Sequence, residues 1–201
     1  MKKKPVPCQD CLHAQVEIQT LKHELEKALK ELSEVRGTDP MTGLANKKRM
    51  YEEIDHHLEI IKRKIAKGSD KEPEHFSIIF IDLDEFKALN DGNHVRGDRL
   101  LTEFANFLRA LTRAGDMPAR FGGDEFAIFA TNTNKEQAEK LCEKILKKLI
   151  SYQFDTKHEP ARIKASLGAA STSEGFLGLL LLVEKADARM QVQKNEGKQK
   201  K

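Results

Sequence analysis

Residues 76–84 read FSIIFIDLD and residues 117–130 read MPARFGGDEFAIFA, and these two stretches decide the fold. The first is apolar at both parities until its acidic end, the pattern of a central strand buried on both sides. The second holds two short apolar strands, 117–121 and 126–130, flanking Gly122 and Gly123, and reads as a hairpin. Working outward, Met50, Ile54, Leu58, Ile61 and Ile65 mark a helix that ends near Gly68, and a polar loop runs on to His75. Residues 97–114 read as a helix with Leu100, Leu101, Phe104, Phe107, Leu108 and Leu111 inward. Residues 136–150 are another, with Ala138, Leu141, Ile145 and Leu149 on one face. Ile163, Ala165, Leu167 and Ala169 alternate as a half-buried strand, and residues 176–193 close the chain as a helix. The order is β-α-β-β-α-β, with one helix before it and one after. It predicts an α+β fold, a ferredoxin-like antiparallel sheet with helices on one face.

Ahead of this domain, Cys11, Ala14, Ile18, Leu21, Leu25, Ala28, Leu32 and Val35 recur at alternating spacings of three and four. A period of 3.5 keeps one seam facing a partner helix, so residues 1–37 are expected to form a coiled coil that makes a homodimer. The other reading is a single amphipathic helix lying on the domain behind it. Gly37 stops the helix, and residues 38–201 form the second domain. With 39% hydrophobic and 33% charged residues in 201, the chain has a real core under a heavily charged surface. A net charge of +3 is too small for a bulk nucleic-acid binder, so no nucleic-acid partner is expected. The basic start runs into Pro5 and Pro7 rather than an apolar stretch, which is not a signal peptide. The longest apolar run, 176–183, falls far short of the ~20 residues that span a bilayer, so no membrane partner and a cytoplasmic location are expected. Three cysteines, an odd count, argue against a disulfide framework. Cys8-Gln9-Asp10-Cys11 with His13 could hold zinc or sense redox state, two pairs meeting across a parallel dimer. The plainer reading is two reduced thiols in a frayed terminus. Cys142 reads as a helix residue near the core.

Asp82 and Asp84 end the central strand, and Asp124 and Glu125 sit in the hairpin beside it. In this topology the two neighbour each other, so four carboxylates converge at one end of the sheet. Carboxylates that close repel unless a cation joins them. Hard oxygen ligands beside a phosphate substrate favour Mg²⁺ or Mn²⁺, which polarises a phosphate and lowers the pKa of an attacking hydroxyl. A lone D-x-D at a strand end is more often a turn or helix cap, and Gly-Gly-Asp-Glu alone is a plausible tight hairpin. Their joint occurrence at matching ends of adjacent strands favours the cation site.

Residues 120–126, RFGGDEF, resemble the signature of the GGDEF family of diguanylate cyclases. Further pieces agree in order: DPMTGL at 39–44 with Asn46, Lys47 and Lys48; DLDEFK at 82–87; Asn90-Asp91 and Gly97-Asp98; Ser166-Leu167-Gly168; Ala186-Asp187, Lys194 and Gly197-Lys198. The match spans roughly residues 38–198, and so many ordered pieces make it specific. The resemblance implies a nucleotide-cyclase or palm-like domain that condenses two GTP into cyclic di-GMP plus two pyrophosphate. It implies one GTP per domain in a dimer and two Mg²⁺ (or Mn²⁺) ions per active site. The metal ligands would be Asp82, the Leu83 carbonyl, Asp124 and Glu125. Glu125 would serve there or help deprotonate the 3′-hydroxyl, so the catalytic set is Asp82, Asp124 and Glu125. Gly122 and Gly123, lacking Cβ, would let the backbone approach the triphosphate. Lys194 and Lys198, four apart on one helix face, would pair with the β- and γ-phosphates, and Lys87 would add a donor. Asn90 and Asp98 would read guanine; without its neighbours Asp98 reads as a first-turn acid favoured by the helix dipole. Arg113 and Asp116, in RAGD at 113–116, match the family's R-x-x-D inhibitory site, where cyclic di-GMP would bind as a feedback ligand; a random R-x-x-D is usually a surface pair.

The chain also departs from the pattern. Residues 90–98 are one residue shorter than the usual N-D-x-x-G-H-x-x-G-D, Gln191 and Gln193 replace the usual Tyr and Ala, and residues 176–182 (FLGLLLL) are unusually apolar. These keep open a catalytically weak or inactive domain that holds GTP or cyclic di-GMP as a signalling module.

Overall fold

This computed structural model describes residues 9–68, 74–90, 94–154 and 161–199. The chain divides into two compact units, Met1–Arg36 and Gly37–Lys201. The first holds one helix, α1 (Gln9–Arg36). Ile18, Leu21, Leu25, Leu32 and Val35 stand exposed along it, from 45% at Leu32 to 85% at Val35. The Cys8–Cys11 pair lies outside the described side chains.

The second unit runs β1 (Ala45–Asn46), α2 (Lys47–Ala66), β2 (Ser77–Asp84), α3 (Phe86–Asn90), α4 (His94–Leu111), β3 (Met117–Gly122), β4 (Glu125–Ala130), α5 (Lys135–Ser151), β5 (Lys164–Ser171) and α6 (Leu179–Gln199), with a 3₁₀ turn at Thr172–Glu174. The sheet order is β1-β3-β4-β2-β5. β2 is antiparallel to both β4 and β5, and β3 to β4, so the α+β arrangement read from the sequence stands. The two-residue β1 adds a parallel partner to β3 and makes the sheet mixed.

The expectation of helices on one face is corrected. Ile79, Ile81 and Leu83 of β2 pack with Phe104 and Leu108 of α4 and Ile145 and Leu149 of α5. Ile78 and Phe80 pack instead with Met50, Ile54 and Leu58 of α2 and Leu182, Ala186 and Met190 of α6. The cause is the pattern that opened the sequence: β2 is apolar at both parities, so both of its faces must leave water, and each requires its own helix layer. At about 25 cal/mol per Å² of apolar surface, an uncovered face would forfeit ~1.5–3 kcal/mol for each large side chain.

Helix ends also shift. α4 begins at His94 and stops at Leu111, three residues early at each end, so Gly97 is a buried residue of its first turns. α6 starts at Leu179 rather than 176 and continues to Gln199. Phe176 and Leu177 pack against the second core from outside the helix. Cys142, on α5, is half-buried against the first core; burial, reinforced by Glu139 and Glu143, pushes its thiol to about 12, so it stays protonated at neutral pH.

α6 also closes the free edge of β5. Leu167 N–H donates to the Gln193 side-chain oxygen, and Arg189 Nη1 donates to Ala169 C=O at 2.7 Å. Backbone groups that would otherwise face solvent are thus paired by side chains one helical turn apart. Arg189 makes a forked pair with Glu174, at 2.9 and 2.7 Å. That hydrogen bond, against the cost of burial and with help from Ser171 N–H and the charges of Arg189 and Lys135, holds the Glu174 carboxyl below its ordinary range. A depressed folded-state pKa stabilises above the unfolded value and is lost as pH falls through the folded value. Glu174→Gln is therefore expected to flatten the acid limb of the stability–pH curve below about pH 4.3, read as urea midpoints; an unchanged limb would show that the clamp carries no linkage.

Candidate active site

Asp82 ends the central strand, and its position in the register decides its surroundings. It lies opposite Glu125 of β4 on one side and Ser166 of β5 on the other. Directly paired residues project from the same face of a sheet, so these three side chains share the face that α2 and α6 cover. Asp84, two residues on, shares it too, and its Oδ1 accepts the Ser166 hydroxyl at 2.8 Å. Asp124 is in the β3–β4 turn, and its carbonyl accepts Leu83 N–H at 3.3 Å, which ties the hairpin tip to the end of β2.

The tip is built for close approach. Gly122 adopts φ +146° and Gly123 φ +53°, conformations that side chains rarely take, and a Cβ at either would project into open space. Beneath it lies Arg120, a buried arginine. Its Nε and Nη2 donate to Gly123 C=O at 3.1 and 2.8 Å, and its Nη1 pairs with Asp39 Oδ1 at 3.3 Å. Asp39 is in turn fixed by Thr42, which donates its N–H at 2.8 Å and its hydroxyl at 2.6 Å. The DPMTGL stretch is therefore a brace for the hairpin, a role the sequence reading did not assign to Asp39 or Arg120.

Lys194 is on α6, and its Nζ donates to Asp82 Oδ1 at 2.6 Å. Burial is the largest single influence on this ammonium and disfavours its charge. The hydrogen bond to Asp82 and the charges of Asp82, Asp124 and Asp84 together outweigh it and raise the pKa above its ordinary value. One ammonium thus lies in the field of three carboxylates, Asp82, Asp124 and Asp84. Among the described residues, no three His, Cys, Asp or Glu side chains converge closely enough to cage a metal unaided. That donor set still suits Mg²⁺, which takes one or two carboxylates and completes its shell with water and substrate phosphates.

The remaining sites are spread out. Lys87 is exposed on α3, Asp98 is exposed on α4, and the side chains of Asn90 and Lys198 lie outside the described residues, as do residues 91–93. Arg113 and Asp116 form a turn after α4: Asp116 N–H donates to Arg113 C=O at 3.0 Å, and Arg113 N–H returns to Asp116 Oδ2 at 3.0 Å. Asp116 Oδ1 accepts Thr131 N–H at 3.2 Å, so its carboxylate also fastens the end of β4, while the Arg113 side chain is exposed.

Residues 36–200 match the family described as diguanylate cyclase, GGDEF domain. The chain belongs to the GGDEF family. It is 36% identical over 177 residues to the bifunctional diguanylate cyclase/cyclic di-GMP phosphodiesterase MucR of Pseudomonas aeruginosa, covering 87% of this chain and 24% of that protein. It is 31% identical over 169 residues to diguanylate cyclase A of Treponema denticola, covering 84% of this chain and 44% of the relative. The chain thus spans less than half the length of these curated relatives. Its structure resembles that of the GGDEF domain of DgcB from Caulobacter crescentus, solved in complex with c-di-GMP, at 25% identity and TM-score 0.68, covering 80% of this chain and 91% of that one. No helix of the described residues is long and apolar enough to cross a membrane.

In this GGDEF domain the residues missed at the sequence level are positioning residues: Asp39, Arg120, Ser166 and Gln193. For Asp39, Arg120 and Ser166 the signal was a charged or hydroxyl side chain close to a glycine turn or a strand end. Gln193 is one of the departures from the family pattern, and its bond to β5 fixes the helical turn that carries Lys194.

Proposed function

We propose that this GGDEF domain condenses two GTP into cyclic di-GMP and two pyrophosphate. The observation that carries the reading is the acidic centre of Asp82, Asp124 and Glu125 under an open diglycine hairpin, with Lys194 drawn into its field. Each domain binds one GTP. Two domains face each other, and each 3′-hydroxyl attacks the α-phosphate of the other GTP, forming one phosphodiester and releasing one pyrophosphate per attack. Asp82, the Leu83 carbonyl, Asp124 and Glu125 would hold the Mg²⁺ ions, which supply charge stabilisation at the α-phosphate. Gly122 and Gly123 admit the triphosphate, Lys194 and Lys198 neutralise its β- and γ-phosphates, and Glu125 accepts the hydroxyl proton. Asn90 and Asp98 select guanine, since adenine would leave the carboxylate unpaired.

Two half-sites must meet, and α1 supplies the means. Its exposed stripe at a 3.5-residue period is the seam of a parallel coiled coil, which raises the effective concentration of one half-site for the other. Arg113 and Asp116 would hold cyclic di-GMP as feedback ligand. GTP is a cytoplasmic metabolite, which agrees with a cytoplasmic setting.

A second reading has its own observation. Lys194 already occupies Asp82 Oδ1, and a module that keeps this pair closed would bind nucleotide without turnover. Incubation of the purified full chain with GTP and Mg²⁺ over a range of protein concentrations separates the two. The cyclase reading expects cyclic di-GMP at a rate that rises steeper than linearly with protein. Well-folded dimer that binds GTP or cyclic di-GMP and leaves GTP unconverted favours the module; failure to bind either nucleotide sinks both.

A further inference from the structure

The Arg113–Asp116 turn is a ridge between two hollows. One is lined by Gln137, Lys140 and Lys144 of α5. The other is an open groove of ≈ 470 Å³ between the loop after α1, the start of α2 and the end of α4, and it brings Arg49 and Arg109 beside Arg113. We infer that this arginine groove is a phosphodiester subsite, in which Arg49 and Arg109 grip one phosphate of the cyclic dinucleotide whose guanine is held at Arg113. The inference rests on the proposed feedback role of Arg113 and Asp116.

One of the three guanidiniums, that of Arg109, is held in place before any ligand arrives. Arg109 Nη2 donates to Thr42 C=O at 2.9 Å and Nη1 to Asn106 Oδ1 at 3.1 Å, which fixes the plane of the group. Gly43 makes room for it, since a Cβ there would sit 3.1 Å from Nη2. The aliphatic stem of Arg49 lies across Gly37, where a Cβ would come within 2.9 Å of its Cδ. A pre-ordered planar fork gives up less entropy on binding a phosphate, and phosphate oxygens match it in pairs.

The groove also lacks a counter-charge. Among the described residues, no carboxylate forms an ion pair with Arg49, Arg109 or Arg113; the pairs present involve other cations. The one acid in the lining is Asp116, and both of its oxygens already accept backbone N–H groups. Three guanidiniums facing one satisfied carboxylate repel each other, and an anion relieves that repulsion. On the other side of the ridge Lys144 Nζ is turned onto Leu111 C=O at 3.0 Å. The arginine side is therefore the one where guanidinium charge gathers without an opposing ion pair, and a guanidinium suits a planar, doubly accepting anion. A cyclic dinucleotide brings both parts, a base for Arg113 and a phosphate a few ångströms away.

Calorimetric titration of cyclic di-GMP into the full chain, at low and high salt, tests this. Arg49→Ala is expected to weaken binding about tenfold and to reduce its salt dependence, as loss of one charged phosphate contact does. Arg49→Lys is expected to recover part of the loss, and the initial rate of GTP turnover, where present, stays unchanged because Arg49 makes no contact with Asp82, Asp124 or Glu125 among the described residues. Wild-type binding that Arg113→Ala abolishes and Arg49→Ala leaves intact would overturn the subsite and keep the feedback site. Wild-type chain that binds no cyclic di-GMP would overturn both. Inorganic pyrophosphate that displaces the dinucleotide from wild type, with loss of that competition in Arg49→Ala, would make the groove a general polyphosphate trap and overturn the dinucleotide assignment.

Discussion

Asp82→Asn is expected to lower cyclic di-GMP formation by about 10²–10³-fold or more, the usual scale for loss of one electrostatic group at a transition state. The substitution preserves shape, and the amide oxygen can still accept from Lys194, so the fold is retained. What disappears is a charge at the point where β2, β4 and β5 bring their ends together. Asn is a weaker ligand for a divalent cation, and it leaves Lys194 with only Asp84 and Asp124 for its field. Lys194 is three-quarters buried and its partner more so, and loss of a charge-assisted bond of this kind costs about 1–2 kcal/mol. The pH signature follows with a definite sign. The folded-state pKa of Lys194 is raised, so the pair stabilises fully below the unfolded lysine value of about 10.4 and fades as pH rises through the folded value. Asp82→Asn should therefore lower stability at neutral pH and flatten the alkaline limb of the stability curve, while leaving the acid limb set by Glu174 in place. Turnover at the wild-type rate in this variant would remove the acidic centre from the mechanism.

Much of this arrangement was readable from residue types alone, and the reasons are local. β2 carried its two-faced burial in its letters, and the hairpin carried its turn in Gly122 and Gly123, so the juxtaposition of Asp82 with Asp124 and Glu125 followed from strand order. The second helix layer was equally implied by Ile78 and Phe80, which needed cover of their own, but the ferredoxin-like pattern suggested one layer and hid it. Contacts between distant segments were not readable. Nothing in DPMTGL says that Asp39 will meet Arg120, because that ion pair depends on how β1 docks beside β3. Nor does the spacing of α6 say that Lys194 will reach Asp82, or that Gln193 and Arg189 will cap the edge of β5; those follow from how closely the helix approaches the strand. The apolar face places a helix over 97–114 without fixing its ends; α4 runs His94–Leu111, with Gly97 buried inside it.

That close approach has a single-residue cause, which yields the largest expected effect on stability. At Gly168 of β5 an added Cβ would land on the Ala186 carbonyl oxygen and the Met190 amide nitrogen, and 2.8 Å from Met190 Cα. These are backbone atoms of α6, so no rotamer change can make room and the helix must lift from the sheet. Gly168→Ala is therefore expected at the upper end of overpacking costs, about 3 kcal/mol, or roughly 6–12 °C in Tm for a chain of this size. The same displacement would pull Lys194, one turn beyond Met190, away from Asp82, and would strain the bonds of Arg189 and Gln193 to the β5 edge. Activity should fall even at temperatures where the variant is fully folded, with a near-normal circular dichroism spectrum. Gly197→Ala gives the opposing measurement in the same helix. A Cβ there meets nothing within 4 Å, and alanine favours helix over glycine by up to about 1 kcal/mol, so Tm should hold or rise. Equal Tm shifts of the same sign in the two variants would show that helix propensity, and not the seat of α6 on Gly168, governs this end of the domain.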